Sequence, residues 1–192
     1  MIISHKYKTI FIHVHRTGGT TIGNLLIEEM GNKVETISQH GNAKTEESAL
    51  LEAHPNYFTF GFVRNPWDRL LSWYSRLYEP ADTKIGIEET RRDFEAFLID
   101  LAKNDHDDAF HMNQLDYFTD KNGKPHFDKI GRFESFETDV IDIFETLGHD
   151  IHRIPKLNVT SEKRYQDYYT DVAQKTISEA CRGDIAQFGY QF

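Results

Sequence analysis

The stretch that decides the fold runs from residue 9 to residue 21 and reads TIFIHVHRTGGTT. Its first half is rich in β-branched and aromatic residues and ends abruptly at a glycine pair, which predicts a buried strand followed by a tight loop. Beyond the loop, apolar residues recur at the spacing of one helix face, at Ile22, Leu25, Leu26 and Met30, and Gly31 ends the pattern. The stretch therefore predicts a strand, a glycine-containing loop and a helix, in that order.

The rest of the chain continues this alternation of strands and helices. A nearly apolar strand is predicted over residues 57–63, and Asn65 and Pro66 are a typical cap and first residue for the helix that follows. The remaining predicted elements are strands at 34–37 and 128–133 and helices at 46–53, 91–103, 111–118, 136–147 and 171–182. This order predicts an α/β fold with a central parallel sheet.

Length and composition limit the possible classes of protein. The chain has 192 residues, which predicts a single domain over residues 1–192. A hydrophobic share of 39%, no apolar run that could cross a bilayer, no signal-peptide pattern and a single cysteine predict a cytoplasmic protein, or one from which an N-terminal anchor has been removed. The net charge of −9 argues against nucleic acid as a partner.

The loop over residues 16–21 is the clearest candidate for a binding site. Backbone N–H groups at a helix N-terminus favour anions, the glycines permit close approach, and Arg16 and the threonines add donors. An ordinary strand-to-helix turn with a glycine pair is an equally good interpretation of these residues alone. The GxxxxGK[ST] pattern is absent, so an ordinary P-loop nucleotide hydrolase is disfavoured.

A second candidate for anion binding lies at the end of the strand over residues 57–63. Arg64 follows that strand, and Ser72 lies about two helical turns beyond Asn65 on the same face. Alternatively, Arg64 pairs with Asp68 and Ser72 is a solvated helix position. Two anion sites at the ends of neighbouring strands fit one ligand with two separated phosphate-like groups, such as a mononucleotide bisphosphate.

These residues carry a resemblance to a known family. Residues 11–21 and 60–74 resemble the 5′-phosphosulfate loop and the 3′-phosphate signature of the sulfotransferases that use 3′-phosphoadenosine 5′-phosphosulfate (PAPS), and residues 130–134, 157–160 and 184–190 resemble later blocks of the same family. The chain is most similar to the branch with carbohydrate sulfotransferases and heparan sulfate 2-O-sulfotransferase. The resemblance implies a three-layer, P-loop nucleotide-kinase-like fold, PAPS as the sulfuryl donor, a hydroxyl acceptor on a carbohydrate or small metabolite, and no metal.

The resemblance also implies roles for individual residues. The general base is placed at His40, with His15 in reserve, while His13 and His15 are expected to point one to the core and one to the site. Arg16 stands where the family usually has lysine, and since arginine does not deprotonate it is assigned electrostatic stabilisation of the leaving phosphate. The residues assigned to the donor are Arg16, Thr17, Gly18, Gly19, Thr20 and Thr21 for the 5′-phosphosulfate and Arg64, Ser72, Ser161 and Arg164 for the 3′-phosphate.

Other functions stay open at this point. A metal site at His13 and His15, or at residues 105–108, lacks a ligand spacing pattern to accompany it. A nucleotide-dependent phosphotransferase, or a non-catalytic protein that binds nucleotides or polymers, would be compatible with the same fold. The oligomeric state and the identity of the acceptor are not predicted.

Overall fold

The computed structural model describes residues 1–40, 48–78, 86–103, 111–120, 122–155 and 164–192. The strands are β1 (Ile2–Ser4), β2 (Thr9–Ile12), β3 (Glu35–Thr36), β4 (Phe58–Val63) and β5 (Lys129–Arg132). The helices are α1 (Gly19–Met30), α2 (Ser48–Ala53), α3 (Pro66–Tyr78), α4 (Ile87–Ala102), α5 (Leu115–Phe118), α6 (Phe136–Thr146), α7 (Asp171–Ala180) and α8 (Arg182–Phe188). The chain forms two compact units, one of Met1–Arg64 with Asp116–Val159 and one of Asn65–Leu115 with Thr160–Phe192.

The first unit is built on a five-stranded sheet with the order β3-β1-β2-β4-β5. The neighbours β2, β4 and β5 are parallel, with Ile12 opposite Gly61 and Val63 opposite Arg132. Strand β1 is antiparallel to both β2 and β3, so it alone runs against the other strands of this sheet. The predicted α/β class is confirmed, and the sheet is mostly parallel rather than wholly so because residues 1–12 form a hairpin that the sequence analysis did not predict.

One hydrophobic core cluster of the first unit lies against one face of this sheet. Phe11, Phe60 and Phe62 point from β2 and β4 to this face, where they pack against α1 and α6. The predicted apolar face of α1, at Ile22, Leu25, Leu26 and Met30, is buried there as expected. The carboxyl ends of β2 and β4 therefore lie side by side, since parallel neighbours end at the same edge of a sheet.

The second unit is organised around the start of α3. The Asn65 side-chain oxygen accepts hydrogen bonds from the backbone N–H groups of Trp67, at 3.1 Å, and Asp68, at 3.4 Å, which confirms the predicted cap. Arg69 is fully buried and donates to the carbonyl oxygens of His111 and Met112. These bonds fix the segment that begins at residue 111 against α3.

Three predicted helices differ from those found, and the one expected over residues 91–103 begins four residues earlier, at Ile87. The helix expected over residues 171–182 ends at Ala180, and a separate helix, α8, begins at Arg182. The buried carboxylate of Asp184 in α8 accepts hydrogen bonds from the backbone N–H groups of Gln114 and Leu115, at 2.8 Å each. The helix expected over residues 111–118 is confined to α5. No helix in the described ranges is both long and apolar enough to span a bilayer.

Candidate functional site

The loop between β2 and α1 has an unusual backbone. Arg16 has a φ of 65° and Gly18 a φ of 85°, both in the left-handed region, which a non-glycine residue such as Arg16 seldom adopts. The Thr17 hydroxyl is buried and donates to the Val14 carbonyl at 2.9 Å. The carbonyl of Gly18 accepts from the N–H of Thr21 at 3.0 Å and so begins α1. The loop therefore turns sharply from the strand into the first turn of the helix.

Packing requires glycine at both positions of the pair. A Cβ on Gly18 would lie 2.6 Å from the Phe136 ring, and one on Gly19 would lie 1.9 Å from the His13 ring. The two glycines are therefore needed for packing, in addition to their predicted role of letting an anion approach the backbone.

The first turn of α1 has the features of an anion site. The first N–H groups of a helix have no acceptor within the helix and lie at the positive end of its dipole. Thr20 is exposed at this turn, and Arg16 is partly exposed just before it. The Thr17 hydroxyl proton is used within the loop, so a contact of Thr17 with a ligand would come through its backbone N–H.

Three histidines cluster beside this loop. The ring of His40 meets that of His13 edge-on at a centroid distance of 4.7 Å and that of His15 at 5.0 Å. The Nδ1 atom of His40 lies 3.5 Å from the carbonyl oxygen of His13. Because a carbonyl only accepts, this contact places the proton on Nδ1 and makes Nε2 the basic nitrogen of the ring. Both His13 and His15 contact His40, and the His13 ring also stacks on Phe11 of the core, at a centroid distance of 5.7 Å.

The surroundings of the cluster keep the rings of His13 and His40 neutral. Burial lowers the pKa of His40 below its usual 6.5, and the positive N-terminal amino group acts in the same direction. Burial, followed by the neighbouring His40, lowers the pKa of His13 to about 3. At neutral pH, His40 is therefore in the form that accepts a proton.

Arg64, which was predicted to bind a second anion, contacts the loop over residues 16–21. Arg64, which is 6% exposed, donates from Nη1 to the carbonyl oxygen of Arg16 at 3.4 Å. Its guanidinium carbon lies 4.1 Å from the centre of the Phe133 ring. The structure thus brings Arg16 and Arg64 together at the edge where β2 and β4 end.

Two of the other predicted donor residues, Ser72 and Arg164, lie in the second unit. Ser72 is buried on α3. Arg164 is exposed and directly precedes a 3₁₀ turn at Tyr165–Tyr168, whereas Ser161 lies outside the described residues. Within the described ranges, no three His, Cys, Asp or Glu residues form a group suited to a metal ion.

Comparison with known proteins identifies the family. No curated protein and no solved structure gives a significant match to the chain. A family model described as the sulfotransferase family matches residues 1–190, nearly the whole length of the chain. The match covers the strand-to-helix loop, the histidine cluster and Arg64 alike. The chain therefore belongs to the sulfotransferase family.

Proposed function

We propose that this protein transfers the sulfuryl group of PAPS to a hydroxyl of a carbohydrate or small metabolite. The family supports sulfuryl transfer in general. The observation that carries the finer assignment is the position of His40, whose ring contacts the segment leading into the loop and whose pKa is lowered by burial. A neutral base beside an anion-binding turn is the arrangement that transfer from a phosphosulfate to a hydroxyl requires.

In the proposed reaction, Nε2 of His40 accepts the proton of the acceptor hydroxyl. The acceptor oxygen then forms a bond to the donor's sulfur while the bond between sulfur and the bridging oxygen breaks, and that oxygen leaves on the 5′-phosphate. The products are the sulfated acceptor, adenosine 3′,5′-bisphosphate and the protonated base. Arg16 and the N–H groups of residues 18–20 stabilise the charge that grows on the leaving phosphate.

The donor's 3′-phosphate is assigned to a second set of residues. Arg64 supplies a charge fixed by its bond to the loop, and Ser72, Ser161 and Arg164 complete the set. We also propose that the domain has the three-layer architecture of P-loop nucleotide kinases. The proposed reaction uses no metal ion, so its catalysis depends on positioning and electrostatics.

The nature of the acceptor follows from the charge of the whole chain. With a net charge of −9, the protein repels a heavily sulfated polymer, so a small or weakly charged glycan or metabolite fits better. This agrees with the resemblance to the carbohydrate branch while favouring its less charged substrates.

Titration calorimetry and a transfer assay test the proposal. We expect tighter binding of adenosine 3′,5′-bisphosphate than of ADP, and sulfation of at least one acceptor from a panel of sugars and small alcohols. His40→Gln should slow transfer about 10²- to 10⁴-fold and leave bisphosphate binding unchanged, because it removes the base and not the anion site. The control is His152→Gln, which changes a highly exposed histidine.

Each result that contradicts the proposal points to a different error. Tighter binding of ADP would favour a phosphotransferase and overturn the donor assignment. Tight bisphosphate binding without transfer to any acceptor would favour a non-catalytic binding protein. Transfer that is unaffected by His40→Gln would overturn the assignment of the base.

A further inference from the structure

The 3₁₀ turn at Tyr165–Tyr168 is attached to the start of α3 through one side chain. The amide nitrogen of Asn65 donates to the Tyr165 hydroxyl at 3.2 Å and to the Gln191 carbonyl at 3.0 Å. Its side-chain oxygen meanwhile caps α3 through Trp67 and Asp68. The Asn65 side chain therefore joins three segments that are far apart in the sequence.

The turn itself is held at further points. The N–H of Asp167 donates to the Arg164 carbonyl at 3.0 Å, and Arg91 of α4 donates from Nε to the Asp167 carbonyl at 2.6 Å. The ring of Tyr165 also lies edge-on to Phe192, with a centroid distance of 5.6 Å. The backbone of Arg164 is thus fixed although its side chain is exposed.

We propose that the hydrogen bond between Asn65 and Tyr165 is a positioning device that sets Arg164 against the head of α3 for recognition of the donor's 3′-phosphate. The proposal rests on the proposed function, since it concerns how the PAPS site is built. Tyr165 and Asn65 are positioning residues because they act through Arg164. An exposed arginine on an anchored backbone binds an anion with a smaller loss of conformational entropy than one on a free loop.

The geometry supplies a selective way to break this link. Tyr165→Phe removes the hydroxyl and keeps the ring that packs on Phe192. Asn65→Ser keeps an oxygen able to cap α3 and removes the amide donor, including its bond to the Gln191 carbonyl, whereas Tyr165→Phe leaves that bond in place. The matched control is Tyr169→Phe, because the Tyr169 ring contacts that of Tyr165 and its hydroxyl donates to the Trp67 carbonyl at 2.9 Å.

The experiment compares binding of adenosine 3′,5′-bisphosphate and ADP by calorimetry. For Tyr165→Phe and Asn65→Ser, we expect bisphosphate affinity to fall about 3- to 10-fold while ADP affinity changes less than about twofold, because the lost hydrogen bond positions Arg164 for the 3′-phosphate, which ADP lacks. The double variant should lose no more selectivity than either single variant, since both break the same link. Tyr169→Phe should lower the thermal midpoint and keep the wild-type ratio of the two affinities.

The outcomes separate this inference from the function on which it rests. A wild-type protein that does not prefer the bisphosphate overturns the donor assignment and this inference together. If the wild type prefers the bisphosphate but the variants keep its selectivity, lose affinity for both nucleotides equally, or behave like Tyr169→Phe, the positioning role alone is wrong.

Discussion

At the scale of single residues, His13 makes the stability of the fold depend on pH. The unfolded chain protonates this ring below pH 6.5, whereas burial holds its pKa in the folded chain at about 3. Over that interval the unfolded state binds the additional proton, so the free energy of unfolding is highest above pH 6.5 and falls as the pH is lowered. We expect His13 to account for a loss of about 2 kcal/mol between pH 6.5 and pH 5.

Urea unfolding of the wild type and of His13→Gln at several pH values measures this effect. The variant should be less stable at neutral pH, because it loses the contacts of the ring with Phe11 and His40, and its stability should depend less on pH. His152→Gln should retain the wild-type dependence, since that ring is highly exposed. Equal pH dependence in wild type and His13→Gln would contradict the assignment.

The sequence predicted residues of the site better than it predicted their contacts. The loop over residues 16–21, Arg64 and His40 were identified from type, spacing and resemblance, and the structure places them all in the first unit. The contacts of His13 with Gly19 and of His40 with both other rings were missed, because they depend on how residues 37–40 return past the end of β2. The shared spacing of His13 and His15, two residues apart, was the available signal that both rings face one side.

At the scale of elements, the junction of β2 with α1 depends on the absence of a side chain at Gly19. Gly19→Ala would place a methyl carbon 1.9 Å from the partly buried His13 ring, so this ring must move. We expect the free energy of unfolding to fall by about 1–3 kcal/mol, as is typical when a packed core is overfilled. Thermal or chemical unfolding measures the change.

The matched control for this prediction lies in the same helix. A Cβ on Gly23 would meet only the flexible end of Ile2, at 3.3 Å. Gly23→Ala should therefore be neutral or stabilise the protein by up to about 1 kcal/mol, because alanine is the better helix former. If Gly19→Ala has the same free energy of unfolding as Gly23→Ala, the His13 ring moves aside without destabilising the fold, and the prediction is wrong.

Some helices and strands could be predicted from the sequence more closely than others, for physical reasons. Helices α1, α3 and α6 were predicted closely because each has an amphipathic pattern and a residue that stops or caps it. Strand β1 was missed because its three residues carry too little pattern, and its pairing with β2 and β3 is a tertiary effect. The separate helix α8 was missed as well, and the bonds that its Asp184 accepts from the N–H groups of residues 114 and 115 are long-range contacts that no local pattern reveals.

At the scale of the whole molecule, the single cysteine reports on unfolding. Cys181 is fully buried, and burial, followed by the neighbouring Asp184, raises the pKa of its thiol to about 12. Because thiolates are the reactive form, we expect no labelling by a thiol reagent in the native protein and one equivalent after unfolding. Following the reaction in increasing urea should give the same midpoint as circular dichroism. Rapid labelling of the native protein would contradict the prediction.

The hairpin that reverses β1 has a consequence for how the chain acquires its structure. Strand β1 pairs with residues 9–11 and 35–36, whereas β4 must pair with β2 at residues 9–12 and β5 with β4 across a still longer separation. Closing a short loop costs less entropy than closing a long one, so pairings close in sequence form first. During synthesis, β1, β2 and β3 can meet before β4 has left the ribosome. His40 and the loop over residues 16–21 thus belong to the segment that can assemble earliest. Arg64 joins this segment only after β4 has paired with β2.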